Sequence, residues 1–456
     1  MSSSEGGPSG PGSGPVAPLY ARLPHGPHRL DHTQVIDHQR ARLHGAMIEA
    51  VAENGYAGTS VRQVLGLAGV SRRSFYEQFA NKEACFLATY DEIAARGVKR
   101  IRRAHEDSGG ALEDRLRAGL HAFIDGIRAN WKGAGLVIVE AQTVGPAGLA
   151  RLRRTTAACE QMLSASFARE PERGGVAMPV VRAIVGGLHW ISSLRLRRGD
   201  ERQLPTLAEE MLQWTLLFQS VSAESIPTRA IEPMPGRRAR EHDAPGARAG
   251  GGGVRERVMH HALRLALIDD YRELSAPQIA EQADVSLDAF FDMFEGKDEC
   301  FLAALDMLGD ELLDLTGDPD LRSSESWSRA VRRAMAELTR YLAERPLYAR
   351  TIAAGAFAAG PLAAERNREV VRRLTASLLV GAPQPAQSPI AVDAIAGAIG
   401  HTVRCQVAAG QIELLGTLSD HLSYVVLAPF LGADTAAEIV SEDQPEPEPG
   451  IAAASP

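Results

Sequence analysis

The sequence predicts an all-α protein made of two similar helical units in tandem, and three observations lead there. Apolar side chains recur at amphipathic-helix spacing through two long stretches, 35–221 and 254–431. A stretch rich in Pro and Gly, ending in the run Gly250–Gly253, separates them. A single register shift of 215 residues superposes Tyr56 on Tyr271, Ser71 on Ser286, Phe75 on Phe290, Phe79 on Phe294 and Lys82 on Lys297. The same shift pairs Cys85-Phe86-Leu87 with Cys300-Phe301-Leu302 and Gly145-Pro146 with Gly360-Pro361. After a short deletion the match resumes at a shift of 211, with Ala183-Ile184 on Ala394-Ile395 and Gly199 on Gly410. The repeating unit is about 190 residues, a whole domain pair and not a short solenoid repeat.

The elements follow in order. Residues 1–34 hold little that could build a core and read as a disordered arm, in which Arg22, His28 and Arg29 could reach along a groove. Over 35–104 a small helical domain is expected. Leu43, Ala46, Met47, Ala50 and Val51 share one face of a first helix, and Gly55 ends it. Ser60 and Gln63 have capping-box spacing and open a short second helix that runs to Ala68. Gly69 supplies a tight turn, Ser71 caps a third short helix over 72–79, and Asn81-Lys82-Glu83 opens a long fourth one. Leu87, Tyr90, Ala94 and Ile101 of that fourth helix should face inward.

Two short helices joined by a Gly turn match the helix-turn-helix plan, whose second helix enters the DNA major groove. Val70, Phe75 and Phe79 would then be its core. Arg72 and Arg73 can meet phosphates or guanine edges, and Ser74 is small enough to permit close approach. Tyr76 can offer its hydroxyl to a phosphate, and Lys82 sits at a helix start where its ammonium could do the same. Ser60 and Ser71 complete the expected DNA-facing set.

The run Thr59-Ser60-Val61, then Ala68-Gly69-Val70-Ser71-Arg72-Arg73-Ser74-Phe75-Tyr76, Phe79 and Lys82-Glu83, resembles the DNA-binding domain of TetR-type repressors. The resemblance is strong over 38–100 and weaker beyond. It implies an all-α fold of two TetR-like units, each a helix-turn-helix domain followed by a helical ligand-binding and dimerisation domain. It also implies backbone contacts from Thr59, Arg62 and Gln63. In this sequence Val64-Leu65 stands where the family usually has Ile-Ala.

The second copy keeps the fold signals and loses the DNA-facing ones. Arg72-Arg73-Ser74-Phe75-Tyr76-Glu77-Gln78 becomes Leu287-Asp288-Ala289-Phe290-Phe291-Asp292-Met293, and Gly69 becomes Asp284. Residues 29–104 carry 12 basic and 8 acidic side chains, whereas the matching window 244–319 carries 6 and 16. DNA, with one negative charge per about 1.7 Å of axis, would repel the second surface. The whole-chain net charge of −8 conceals this contrast.

The remaining segments are a helical regulatory domain over 105–224, a flexible linker over 225–253, a degenerate helix-turn-helix over 254–310, a second regulatory domain over 311–432 and a disordered tail over 433–456. The linker would span roughly 30 Å as a coil. By resemblance, the final helix pairs (180–196 with 203–221, and 390–408 with 412–430) build a four-helix bundle, either within one chain or between chains. Phe123, Trp131, Met162 and Trp190 are candidate effector-pocket residues, with plain core packing as the alternative. Trp214, His121 and His189 carry the same alternative.

No nucleophile elbow, Gly-rich phosphate loop or HExxH occurs, so no catalytic residues, metal ligands or cofactor are expected. Four cysteines without CxxC spacing fit a reducing cytoplasm. No export signal or long apolar run stands out. The expected partners are double-stranded DNA bearing a palindromic operator, a second copy of the chain and a small hydrophobic effector, with no membrane. The alternative is a protein-interaction or anti-repressor module that uses the acidic second unit.

Overall fold

Helix ends in the computed structural model fall where capping chemistry puts them. The structure describes residues 32–169, 175–218, 225–229, 253–268, 271, 273–316 and 324–442, and every regular element among them is helical. The predicted arm up to residue 31, most of the linker and the end of the tail lie outside the described residues. The chain divides into two compact units, residues 1–92 and 93–456.

In the first unit, α1 (His32–Gly58) is broken at Gly55, whose φ of 65° and ψ of 169° lie outside the helical region. Helix α2 (Val61–Ala68) starts at a complete Ser60–Gln63 capping box and stops at Gly69 in the left-handed conformation. The Ser71 hydroxyl accepts the Ser74 amide at the start of α3 (Arg72–Gln78). Helix α4 (Lys82–Asp107) begins beside them and continues into the second unit. Leu43, Met47, Phe75 and Phe86 are fully buried, and each such side chain stabilises the fold by about 2–3 kcal/mol.

The second unit holds two helical bodies and a second three-helix motif. The first body comprises α5 (Leu112–Ala129), the single turn α6 (Trp131–Ala134), α7 (Pro146–Ala168), α8 (Met178–Arg198) and α9 (Leu204–Leu216). The second motif comprises α10 (Val254–Ile268), α11 (Ala276–Gln282), α12 (Leu287–Met293) and α13 (Lys297–Thr316). The second body comprises α14 (Ser324–Glu344), the short α15 (Pro346–Arg350) and α16 (Ala356–Ala358), α17 (Pro361–Leu378), α18 (Ala391–Ala408), α19 (Ser419–Leu431) and α20 (Ala433–Ser441). The repeated Gly-Pro pair opens α7 and α17 in one geometry: Gly145 has φ 102° and Gly360 φ 111°, each followed by Pro in the first turn. Each body also carries one π-helical turn, at Gly135–Val139 and at Thr351–Gly355.

The two bodies pack on each other through α8 and α18. A Cβ added at Gly186 would lie 2.4 Å from the Cβ of His401 and 2.7 Å from the carbonyl oxygen of Gly397. One added at Gly397 would lie 2.2 Å from the Cβ of Trp190 and 2.6 Å from the carbonyl oxygen of Gly186. Under the 211-residue shift Gly186 corresponds to Gly397 and Trp190 to His401. The contact is therefore reciprocal, as across a two-fold axis. Glycines at the crossing let the backbones come this close. Phe218, just past α9, meets Tyr424 of α19 at 5.8 Å between ring centroids, adding the end of the first body and α19 of the second to the junction. The bundle left open by the sequence is thus seen within one chain.

One expectation needs correction. The segment 433–441, read as tail, is the helix α20, because Ala436, Ala437 and Val440 form a small apolar face that is buried. The stretch Ile412–Leu431, though interrupted by Glu413 and Asp420, is long and apolar enough by length and composition to cross a membrane. In the fold 83% of it is buried against other helices.

Candidate nucleic-acid interface

Helix α3 is held from beneath by aromatic packing. The rings of Phe75 and Phe79 lie 5.7 Å apart, and Tyr56 stacks edge-on against Phe86 at 4.9 Å. Val70 is buried with Phe75 and Phe79, as expected of the motif's core. The Arg42 guanidinium donates to the carbonyl of Gly69 at 3.2 Å and ties α1 to the turn. On this base the outer face of α3 presents Arg72, Arg73 and Tyr76 to solvent, with Ser71 beside them. Arg72 lies over the Tyr76 ring at 5.7 Å, and Arg73 pairs with Glu77 at 2.9 Å in the open. Ser74 is half-buried, and its hydroxyl is 2.9 Å from that of Ser71. Arg62 and Gln63 are exposed on α2, where Gln63 also accepts from the Ser60 amide and hydroxyl.

Two residues expected at the DNA make internal hydrogen bonds. The Thr59 side chain is buried, and its hydroxyl donates to the carbonyl of Gly55 at 2.7 Å, which closes the break in α1. The Lys82 ammonium donates to the carbonyls of Tyr56 and Thr59, both at 2.9 Å, and sits 4.2 Å from the centre of the Tyr56 ring. Lys297 repeats this in the second motif, donating to Tyr271 at 2.9 Å and Leu274 at 2.7 Å. A lysine kept with the same partners in an acidic copy serves the loop between the first two helices of each motif.

The second motif reproduces the rest of the frame. Ser275 and Gln278 form a capping box, Ser286 caps α12, and Phe290 and Phe294 lie 5.6 Å apart. Asp284, in place of Gly69, keeps a positive φ of 53°. The exposed face of α12, however, consists of Leu287, Asp288, Phe291 and Asp292.

Comparison with known proteins agrees with this geometry. The sequence profile described as "Bacterial regulatory proteins, tetR family" matches residues 46–89, from the middle of α1 into α4. Residues 46–89 are thus similar to the DNA-binding segment of TetR-family regulators. The chain is 25% identical over 197 residues to the HTH-type transcriptional activator FasR of Mycolicibacterium smegmatis, covering 43% of this chain and 88% of that protein. Among solved structures it is similar to the fatty acid degradation regulator FadR of Bacillus halodurans, at 19% identity and a TM-score of 0.35 over 38% of this chain and 96% of that one. It is also similar to FadR of Bacillus subtilis solved with stearoyl-CoA, at 16% identity and a TM-score of 0.35, with the same coverage. The matched family and the M. smegmatis relative are described as regulatory proteins and as an HTH-type transcriptional activator.

The expected effector residues lie on four helices of the first body. Phe123 on α5, Trp131 on α6 and Met162 on α7 are half-buried, and Trp190 lies in the α8–α18 crossing against Gly397. Trp214 is fully buried and packs edge-on against Phe218. An apolar cavity of about 40 Å³ lies in the second body, lined by Leu312, Leu338, Leu342, Val370, Leu374 and Val403 among others. The fold also assembles a group that sequence spacing missed: Glu160 on α7 with His401 and Cys405 on α18. The only signal for it was the four-residue step from His401 to Cys405, which places both on one helix face.

Proposed function

We propose that this regulator reads its operator with α3 alone and represses until a small hydrophobic effector releases it. One contrast carries the reading. Two helices with the same caps and the same aromatic base expose Arg72, Arg73 and Tyr76 in one case and Leu287, Asp288, Phe291 and Asp292 in the other. Phosphate contacts supply most of the affinity for DNA, and only the first face can make them. The exposed Arg73–Glu77 pair is worth a few tenths of a kcal/mol, so a phosphate displaces Glu77 readily.

A palindrome needs two competent helices about 34–36 Å apart, and each chain brings one, so two chains share an operator. The α8–α18 face is used inside each chain, which favours chains that meet on the DNA. Repression requires only that the site be occupied. The apolar cavity, lined on α18 by Ile399, Gly400 and Val403, favours a small hydrophobic effector.

The test starts from a genomic fragment recovered by mapping bound DNA. Arg73→Ala with Tyr76→Phe should weaken binding about tenfold or more and flatten its salt dependence, while Asp288→Ala with Asp292→Ala should change neither. Full affinity in the first variant, or lost affinity in the second, would overturn the assignment. A reporter behind the fragment should rise when the gene is deleted. A fall would mean activation, the role in the name of the M. smegmatis relative.

The exposed apolar pair Leu287 and Phe291 favours one second reading, in which α12 docks a protein. In that case Leu287→Ser with Phe291→Ser abolishes regulation in the cell and leaves DNA affinity intact.

A further inference from the structure

Glu160, His401 and Cys405 bring three kinds of metal donor together between α7 and α18. Nε2 of His401 lies 2.7 Å from Oε1 of Glu160 and 3.4 Å from Sγ of Cys405, and that Sγ lies 4.0 Å from the same Oε1. Glu160 and His401 are each 6% exposed. A tetrahedral zinc, with about 2.3 Å to sulfur and about 2.0–2.1 Å to nitrogen or oxygen, holds its donors roughly 3.3–3.6 Å apart. The sulfur–nitrogen separation is already there. The other two separations need changes of about half an ångström, one opening and one closing, within reach of a side-chain rotation.

The surroundings point the same way. A buried carboxylate is costly without strong compensation. Its cationic neighbour Arg182 stands 3.9 Å away on the other oxygen, Oε2, so Oε1 is left to the imidazole and the thiol. The trio is also missing from the other half of the reciprocal crossing, where the matching positions are Thr375, Trp190 and Leu194. Since that half packs without such a group, the trio is not a requirement of the scaffold. The close contact of Gly186 with the Cβ of His401 fixes where the imidazole starts.

We propose that Glu160, His401 and Cys405 bind a thiophilic divalent cation, zinc being the best chemical match, with water as the fourth ligand. On binding, the S–H bond of Cys405 breaks, its proton passes to solvent and a metal–sulfur bond forms. The hydrogen bond between His401 and Glu160 gives way to one metal bond from each. The ion then joins α7 of one body to α18 of the other.

Full-length protein stripped with a chelator and titrated with cobalt(II) should take up one ion per chain. A thiolate-to-cobalt absorption band should appear in the near ultraviolet, and zinc(II) should abolish it. Zinc titration in weak buffer should release about one proton per ion. Cys405→Ser should lose the band, Cys159→Ser should keep it, and His401→Ala should weaken uptake at least tenfold. Absence of the band or of proton release in the unmodified protein overturns the proposal, whatever the folding of the variants. Survival of the band in folded Cys405→Ser, or its loss in folded Cys159→Ser, does so as well.

Discussion

The ammonium of Lys82 is held between the carbonyls of Tyr56 and Thr59, and Lys297 holds the matching pair in the second motif. Removing such a donor leaves carbonyls unsatisfied at a cost of roughly 1–3 kcal/mol. Lys82→Ala should therefore lower the melting temperature by several degrees while leaving the salt dependence of DNA binding unchanged. A flatter salt dependence at an unchanged melting temperature would restore the phosphate role. The sequence could not distinguish these roles, because a lysine at a helix start suits both, and the carbonyls that decide the matter come from a loop more than twenty residues earlier. Thr59 likewise spends its hydroxyl on the carbonyl of Gly55, four residues back, and residue type alone does not reveal that choice. The positions carried by short-range rules, Ser60 with Gln63, Ser71, Phe75 and Phe79, were legible from spacing alone.

Among the elements, the turn between the two helices of each motif shows what sequence exchange costs. At Gly69 the left-handed backbone is free of side-chain strain, whereas Asp284 adopts the same region with φ 53°. Asp284→Gly should stabilise the second motif by about 0.5–1 kcal/mol, seen as a higher melting temperature, since the strain removed exceeds the added chain entropy. A lower melting temperature would show that the aspartate side chain makes a compensating bond. Helices α2, α3 and α4 were readable because their caps are local. The π-helical turns and α20 were not, because their residues acquire a partner only through packing of distant segments.

For the whole molecule, the decisive contact is the glycine crossing of α8 and α18. Gly397→Leu would force a side chain into the Cβ of Trp190 and the carbonyl of Gly186, a loss of roughly 1–3 kcal/mol or more, readable as a lower melting temperature and faster proteolysis. An unchanged melting temperature would contradict the packing. The second unit is also expected to lose stability in acid. Burial holds His189 down to about 3 and His421 to about 4, from an ordinary value of 6.5, and lowers His401 as well. Unfolded, these imidazoles take up protons below 6.5, while the folded ones stay neutral. Their contribution to stability is thus complete above that value and drains away as the pH falls toward 4 and 3. Thermal melts at about pH 7.5 and about pH 5 should show the lower transition in acid, and identical melts would rule this out. Repeat and composition announced two halves, but whether they pair inside one chain depended on which small residues meet across the crossing.

That crossing has a genetic consequence. When a regulator is assembled from two identical polypeptides, every inherited change is made twice, and a defect in the reading helix disables both arms at once. With both bodies on one polypeptide, a change in one half is not copied into the other, so an arginine face and an aspartate face can share one molecule at a fixed one-to-one ratio.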